Sequence, residues 1–553
     1  MSSPLSLSAF AALALTGAEF GAVGLAGVLL FRDKFPAGHR WLLGPLTVAL
    51  AGYAVFWCGF VHPTAGRMAA WLVLAGATTI IARRRSAALA CAKLAAPVAL
   101  GMTLFVFGAT AVLLLFPGPT VASTAMSRFF DMPGDNDIPR LFAQIILDGN
   151  RSRALSGDWL ISDRPPLQTG IDLLGWPLPS LLRIDLDTAC SAAGVWFQAL
   201  WFPISVSLLR AFGLGSGRAL GTTALLGATG FLVFDSVYVW PKLGAGALVV
   251  GAFLLWFVPG RGETDQSPRA RRMLGAACAV CGYLAHGGVA FSLLALAPFV
   301  IHDAVRSRAW RAWLGAAGVF LIVAAPWLLY QKFYAPPANR LVKWHLAGAV
   351  PVDGRSAIQA LRDNYGAIGW SGAWDARRQN LGMLLAGTWR EPLDPRADPR
   401  SRRINDAAFP LRTAAAWTLG LLALPWVWIV RRNVWREHAR VHLAALAWFA
   451  GGLLVWVALM FSPNSVFTHQ GTYVTQILLL ALLAGWAAMA GRLFLLLVAA
   501  VQWTGFLATW LAPDRDWHVP LDPLAAVVGI VAGAALPALA ARMLIHDERS
   551  AGA

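Results

Sequence analysis

The chain has 553 residues, 58% of them hydrophobic and only 13% charged, with a mean hydropathy of +0.60. An ordinary soluble domain carries about 25% charged residues, so a soluble globular protein is excluded. The net charge of +17 comes mostly from arginines in short loops, a pattern that orients membrane helices, and no basic stripe with interleaved aromatics suits a nucleic acid.

Apolar runs predict about 15 transmembrane helices, at roughly 8–31, 41–61, 68–82, 95–116, 189–211, 219–235, 243–258, 272–285, 287–302, 311–331, 411–430, 441–461, 474–490, 493–512 and 522–541. Runs such as Leu480–Ala490 are apolar on every side and do not alternate, which fits helices rather than the strands of a membrane barrel. The expected fold is an all-α polytopic membrane protein. The first run lacks a basic leader and a clear cleavage site and is expected to stay as a helix. Cys278-x-x-Cys281 lies inside an expected span without nearby ligand partners, so packing explains it better than a redox or metal role.

Loops rich in arginine alternate with loops nearly free of it. Arg32 and Arg40, Arg83–Arg85, Arg210 and Arg218, Arg269–Arg272, Arg306–Arg311, Arg431–Arg440 and Arg492 fall on one side. The positive-inside rule makes that side cytoplasmic. The long segments 117–188 and 332–410 are then extracytoplasmic. The expected organisation is 1–116, N-terminal membrane helices; 117–188, an outer-face loop with interfacial helices; 189–331, a membrane core; 332–410, a second outer-face loop; and 411–553, C-terminal membrane helices.

The first outer loop holds a polar island, FFDMPGDNDIPRLFAQIILDG, followed by GDWLISDRPPLQTGI. Charges beside a bilayer are costly and usually functional. Asp137 precedes Ile138-Pro139, a helix-start pattern. Ile138, Leu141, Phe142, Ile145 and Ile146 then share one helical face, and Asp137, Arg140, Gln144 and Asp148 the other. This predicts an amphipathic interfacial helix, with a second interfacial segment over Leu167–Leu182. Asp135-x-Asp137 reads as a general base with some metal-binding capacity, or as a turn and helix cap; two carboxylates alone make an incomplete cation site. Asp163-Arg164-Pro165-Pro166 reads as a stiffened loop holding an acid and a phosphate-binding cation, or as a surface ion pair.

Further along, Asp235 ends an apolar run, and Lys242, one of five lysines, follows Trp240-Pro241. A cation there suits a lipid phosphate, or snorkels beside an aromatic belt. His286 between two short spans, His469, and the Arg340, Lys343, Trp344, His345 cluster are further candidates for binding a phosphate or sugar, each with an interfacial-anchor or turn reading beside it. The 391–404 stretch, with Pro392, Pro395 and Pro399, reads as an exposed loop.

These motifs resemble the GT-C class of integral membrane glycosyltransferases, in the branch of protein O-mannosyltransferases and lipid A aminoarabinose transferases. The text carrying the resemblance is Asp137-Ile-Pro-Arg140-Leu-Phe-Ala143, then Gly157-Asp158-Trp159-Leu160, then Asp163-Arg164-Pro165-Pro166-Leu167. It covers roughly residues 120–345. Ile138 stands where the family has Glu, His286 where it often has Lys, and about four helices rather than one precede the loop. The resemblance implies a GT-C-like bundle and a polyprenyl-phosphate-sugar donor taken from the membrane, its sugar passing to a glycan, lipid or protein acceptor on the outer face of a bacterial inner membrane, with inversion. It puts Asp137 on the catalytic aspartate, Asp163 and Arg164 on the acidic-basic pair, and Asp235 on a second site aspartate. The cations Arg164, Lys242, His286, Arg340 and Lys343 would meet the phosphate. A divalent metal at Asp135 and Asp137 is compatible but not required. The alternatives are a transporter or flippase for a lipid-linked sugar or anionic lipid, which predicts ionisable residues at mid-membrane and repeat symmetry, and a non-catalytic scaffold.

Overall fold

A computed structural model describes residues 4–32, 37–157, 159–258, 268–350, 353–385, 398–430, 432–462, 473–512 and 519–552. Apolar runs become long helices because a backbone in lipid must satisfy its own hydrogen bonds. Among the described residues eleven helices are long and apolar enough to cross a membrane. A twelfth crossing is formed if α11 (Ser216–Leu226) and α12 (Gly230–Val237), bent by 74° at the break between them, count together.

The chain is therefore an all-α polytopic membrane protein. Every expected span is helical, but not every one has the length of a crossing. Helices α13 (Lys242–Phe257) and α22 (Val474–Ala490) have 16 and 17 residues. Helix α14 (Pro268–Ala285) starts with Arg269, Arg271 and Arg272, which dilute its apolar character.

The short helices are at the centre. Nearly every residue of α13 and α22 is buried, as expected for helices apolar on all sides. Around them, α14 packs between α13 and α16 (Trp310–Leu329), and α22 meets α10 (Trp201–Ala211), α20 (Gly420–Val430) and α21 (Arg432–Leu459). The peripheral helices turn leucines and isoleucines outward: Leu314, Leu321 and Ile322 on α16 are exposed, which suits a lipid-facing surface.

The N-terminal helices α1 (Pro4–Phe31), α2 (Leu43–Val61) and α3 (Pro63–Arg83) pack on one another, and α1 and α2 also pack on later elements. Helix α4 (Arg85–Leu114) pairs with α24 (Pro523–Gly552).

The two ends of the bundle differ chemically. At one, the arginine-rich loops tie helices together: Arg84 donates to the Leu29 carbonyl, and Arg272 pairs with Asp303 at 2.8 Å. The other end gathers the long loops. It carries α5 (Val121–Ser127), α6 (Ile138–Leu147), a small antiparallel hairpin of β1 (Ala154–Ser156) and β2 (Trp159–Leu160), and α7 (Leu167–Leu174). It also carries α17 (Arg340–Ala347), α18 (Ala357–Leu385) and α19 (Pro399–Ala408). Arg403, expected in an exposed loop, is fully buried on α19, where it donates to the carbonyls of Thr509, Phe129 and Ala512. A buried guanidinium needs several acceptors, and the last turn of α23 (Arg492–Trp510) supplies unpaired carbonyls.

Helix α6 has the expected amphipathic character, with Ile138, Phe142 and Ile146 buried and Arg140 bonded to Gln144 on the polar face. The expected interfacial segment over Leu167–Leu182 differs. All eight residues of α7 are buried, because α7 is pressed against α2 at glycines. A Cβ on Gly170 would stand 2.3 Å from the Gly52 carbonyl oxygen. Only α8 (Pro177–Leu181) that follows shows Leu181 and Leu182 to the surroundings.

Candidate functional site

The turn Gly134–Asp137 carries Asp135 and Asp137 and sends them to different neighbours. Asn136 between them is buried and donates to the Ala122 carbonyl at 3.2 Å. Tyr238 donates to the Pro133 carbonyl just before. Pinned on both sides, the turn aims Asp135 toward the hairpin and Asp137 along α6.

Asp137 does not cap α6. It sits at the N-cap position with helical φ/ψ and makes no side-chain cap bond. Its carboxylate instead takes a fork from Arg140, Nε to Oδ1 at 2.5 Å and Nη2 to Oδ2 at 2.7 Å. Asp187 at the start of α9 (Leu186–Gln198) is the second acid near Arg140, at 3.6 Å. The pairing with Asp137 holds the Arg140 guanidinium above its ordinary value. The capping role belongs to Asp185, which accepts from Thr188 N at 2.8 Å.

On the other side lies a pocket of cations brought from separate elements. Arg164, 8% exposed, reaches Asp135 Oδ1 at 3.3 Å. The guanidinium carbons of Arg164 and Arg340 lie 4.5 and 3.8 Å from the Trp159 ring centroid, and Trp344 tilts against that ring at 6.0 Å. Lys242, fully buried, stands 3.3 Å from the centre of Trp240 and 5.4 Å from that of Tyr473. Such contacts hold a cation in place without neutralising it.

Asp235 is buried beside Lys242 and Tyr473. His286 and His345 lie within range of the charges of Lys242 and Arg164. Burial first, and then those two cations, push His345 down to about 3. His345 is therefore neutral near pH 7 and adds no positive charge beside Arg164 and Arg340. Burial likewise pulls the Arg164 guanidinium down, with Asp135 and Asp163 opposing. Among the described residues Arg164 Nε is buried without a hydrogen-bond partner, an orphaned charged donor of the kind that costs free energy unless a ligand takes it.

A buried amide chain fixes the loop that carries Lys242. Gln168 Nε2 on α7 donates to the Val239 carbonyl at 2.7 Å. Gln198 Nε2 on α9 donates to Gln168 Oε1 at 3.1 Å, and Gln198 Oε1 accepts from Gly244 N at 2.8 Å. Val239 has φ +52°, a strained conformation for a β-branched residue that persists only when its surroundings enforce it. The chain thus grips the backbone on both sides of Lys242.

The other sequence-picked residues are placed differently. Asp163 accepts from the Leu160 backbone at 2.9 Å and so shapes its own loop. His286 Nδ1 accepts from Gly288 N at 3.2 Å, closing the turn between α14 and α15 (Ala290–Arg306), while its ring faces Trp240. Lys343 makes bonds to Asp353 Oδ1 and to the Asp353 and Arg355 carbonyls, within the second loop. Asp131 pairs with Arg400 on α19. Asp158 and His469 lie outside the described residues. Cys278 and Cys281 are buried within α14. Among the described residues no three His, Cys, Asp or Glu side chains gather in a way that could hold a metal ion.

Sequence reasoning missed Tyr238, Tyr473, Gln168, Gln198 and Asp172. Two of these, both on α7, had a readable signal: Gln168 and Asp172 are four apart and share a helical face.

No protein-family model matches the chain, and no curated protein matches it. Among solved structures it is similar to the crystal structure of ArnT from Cupriavidus metallidurans in the apo state. That likeness has 15% identity over 75% of this chain and 78% of the other, with a TM-score of 0.34.

Proposed function

We propose that the chain is a glycosyltransferase that draws a polyprenyl-phosphate-linked sugar from the bilayer and passes the sugar to an acceptor hydroxyl or amine. The observation that carries this reading is the convergence of Arg164, Arg340 and Lys242 from the hairpin loop, α17 and α13, with the Arg164 Nε donor unpartnered among the described residues. A lipid phosphate leaving group is already a stable anion and needs cations more than a general acid. The bundle end carrying the pocket is opposite the arginine-rich loops, which supports an outer-face site on a cytoplasmic membrane.

In this mechanism Arg164 and Lys242 hold the phosphate, with Arg340 beside them. Asp135 fixes Arg164. Asp137, positioned by Arg140, orients the acceptor for in-line attack on the anomeric carbon, and a single displacement inverts it. Asp235 sets the position of Lys242. Asp163 holds the loop that presents Arg164. Membrane preparations supplied with a labelled polyprenyl-phosphate sugar test the reading: transfer of label to an acceptor supports it, and an inactive but correctly folded protein counts against it.

The 74° break between α11 and α12 favours a second reading, since broken helices beside a buried acid also occur in transporters. Movement of a fluorescent polyprenyl phosphate across proteoliposomes without sugar transfer would support that alternative.

A further inference from the structure

The transfer step releases a proton from the acceptor, and Asp137 is poorly arranged to keep it. Both its oxygens already take N–H groups from Arg140, so a proton placed there would have to break the fork. Directly behind the pair is a narrow cleft lined by Asp137 and Arg140, by Gln168 and Asp172 of α7, by Cys190 and Ser191 of α9, and by Val239. It has room for about one water molecule. Asp172 is 2% exposed, and among the described residues its Oδ1 has no hydrogen-bond partner. An ionised carboxylate in such a place is a strong proton acceptor, because taking up a proton makes it neutral and able to donate a hydrogen bond.

We propose that Asp172 is the terminal proton acceptor of the reaction, receiving the acceptor's proton from Asp137 through a single water in this cleft. The proposal rests on the transferase reading above. In the step, the acceptor oxygen or nitrogen bonds to the anomeric carbon. The bond from that carbon to the phosphate oxygen breaks, and the electron pair leaves with the polyprenyl phosphate. The acceptor's proton passes by way of Asp137 and the water to Asp172, and afterwards returns to solvent by the same route. Burial raises the Asp172 carboxyl well above the ordinary carboxylate range, so its ionised form, the one that can accept, takes up a proton readily, and the rate rises with pH as that form becomes more populated. The charged or titratable groups facing the cleft are Asp137 and Arg140 from α6 and Cys190 from α9, with Asp187 as the second acid near Arg140. Arg140 is committed to those acids, so it does not force Asp172 to ionise.

The experiment compares full-length wild-type protein with Asp172→Asn and Asp172→Glu in nanodiscs. It uses polyprenyl phosphate as binding probe and a polyprenyl-phosphate sugar as donor. Asp172→Asn should bind polyprenyl phosphate as the wild type does but turn over on the order of 100-fold more slowly. It should also lose the limb over which the wild-type kcat rises with pH. Asp172→Glu should recover part of the rate and the limb. Full kcat with an unchanged pH profile in Asp172→Asn overturns the proposal. If Asp172→Asn does not fold, the wild-type chain alone decides: a curved proton inventory in mixtures of light and heavy water supports the relay, and a linear one overturns it. A wild type that binds polyprenyl phosphate yet transfers no sugar overturns the transferase reading first and this relay with it.

Discussion

Asp135 and Asp137 stand two residues apart and serve different arginines, so their replacement should fail in different kinetic terms. Asp135→Asn loosens Arg164 and should raise the donor KM about 10-fold or more, since a hydrogen bond to a charged group is worth about 1.5–3 kcal/mol. Asp137→Asn should leave donor binding intact and lower kcat by a factor on the order of 100 to 10,000. Steady-state kinetics with donor and acceptor varied separately check both. His345 offers a test by pH. Its folded-state value, about 3, lies below the ordinary 6.5, so the folded protein binds fewer protons than the unfolded chain between those values. The stability this contributes is present above about pH 6.5 and is lost as pH falls toward 3. Melting curves should drop between pH 7 and pH 5, and His345→Gln should make that drop smaller. An unchanged drop in His345→Gln would remove His345 from the cause.

At the scale of elements, α7 joins the fold to the pocket. Its contact with α2 needs glycine, because a Cβ at position 170 meets the Gly52 backbone rather than a movable side-chain tip. Gly170→Ala should cost roughly 1–3 kcal/mol or more as overpacking and should lower the melting temperature. Gln168→Leu acts on the other face of the helix. It leaves the Val239 carbonyl unsatisfied and frees the strained turn before Lys242. It should weaken polyprenyl phosphate binding, and should do so much less in a Lys242→Ala background, because the two changes share one effect. Equal losses in both backgrounds would show that the amide chain does not act through Lys242.

Some of this element-scale arrangement was legible in the residues. The face of α6 followed from the spacing of Ile138, Phe142 and Ile146. The burial of α7 was not legible, because a glycine pressed on glycine leaves no hydropathy signal and Leu167–Leu174 reads equally well as interfacial. The Asp137 side chain was ambiguous for a related reason. Asp before Ile-Pro fits a cap, and only the position of Arg140 one turn on shows that its oxygens are taken. The gathering of Arg340 with Arg164 around Trp159 joins residues 176 positions apart, which no local pattern encodes.

For the whole molecule, the contrast between the two ends carries the account. The pocket is at the end where α6, the hairpin and α17 collect, and the arginine-tethered turns are at the other. In a background with Cys58 and Cys91 replaced by Ser, a membrane-impermeant maleimide added to intact cells should label Asp131→Cys, whose native side chain is 82% exposed. Ser86→Cys, exposed at the arginine-rich end, should label only after permeabilisation. The reverse pattern would place the pocket on the cytoplasmic side, where soluble nucleotide sugars rather than lipid-linked ones are the available donors.

The central claim is that the cations around Trp159 and Trp240 hold a lipid phosphate, and its most direct test is equilibrium binding of polyprenyl phosphate to the purified chain in nanodiscs. The wild type should bind saturably. Arg164→Ala and Lys242→Ala should each weaken binding about 10-fold or more, and Lys343→Ala, whose amine is engaged within the second loop, should bind as the wild type does. Equal binding by the wild type, Arg164→Ala and Lys242→Ala would contradict the account.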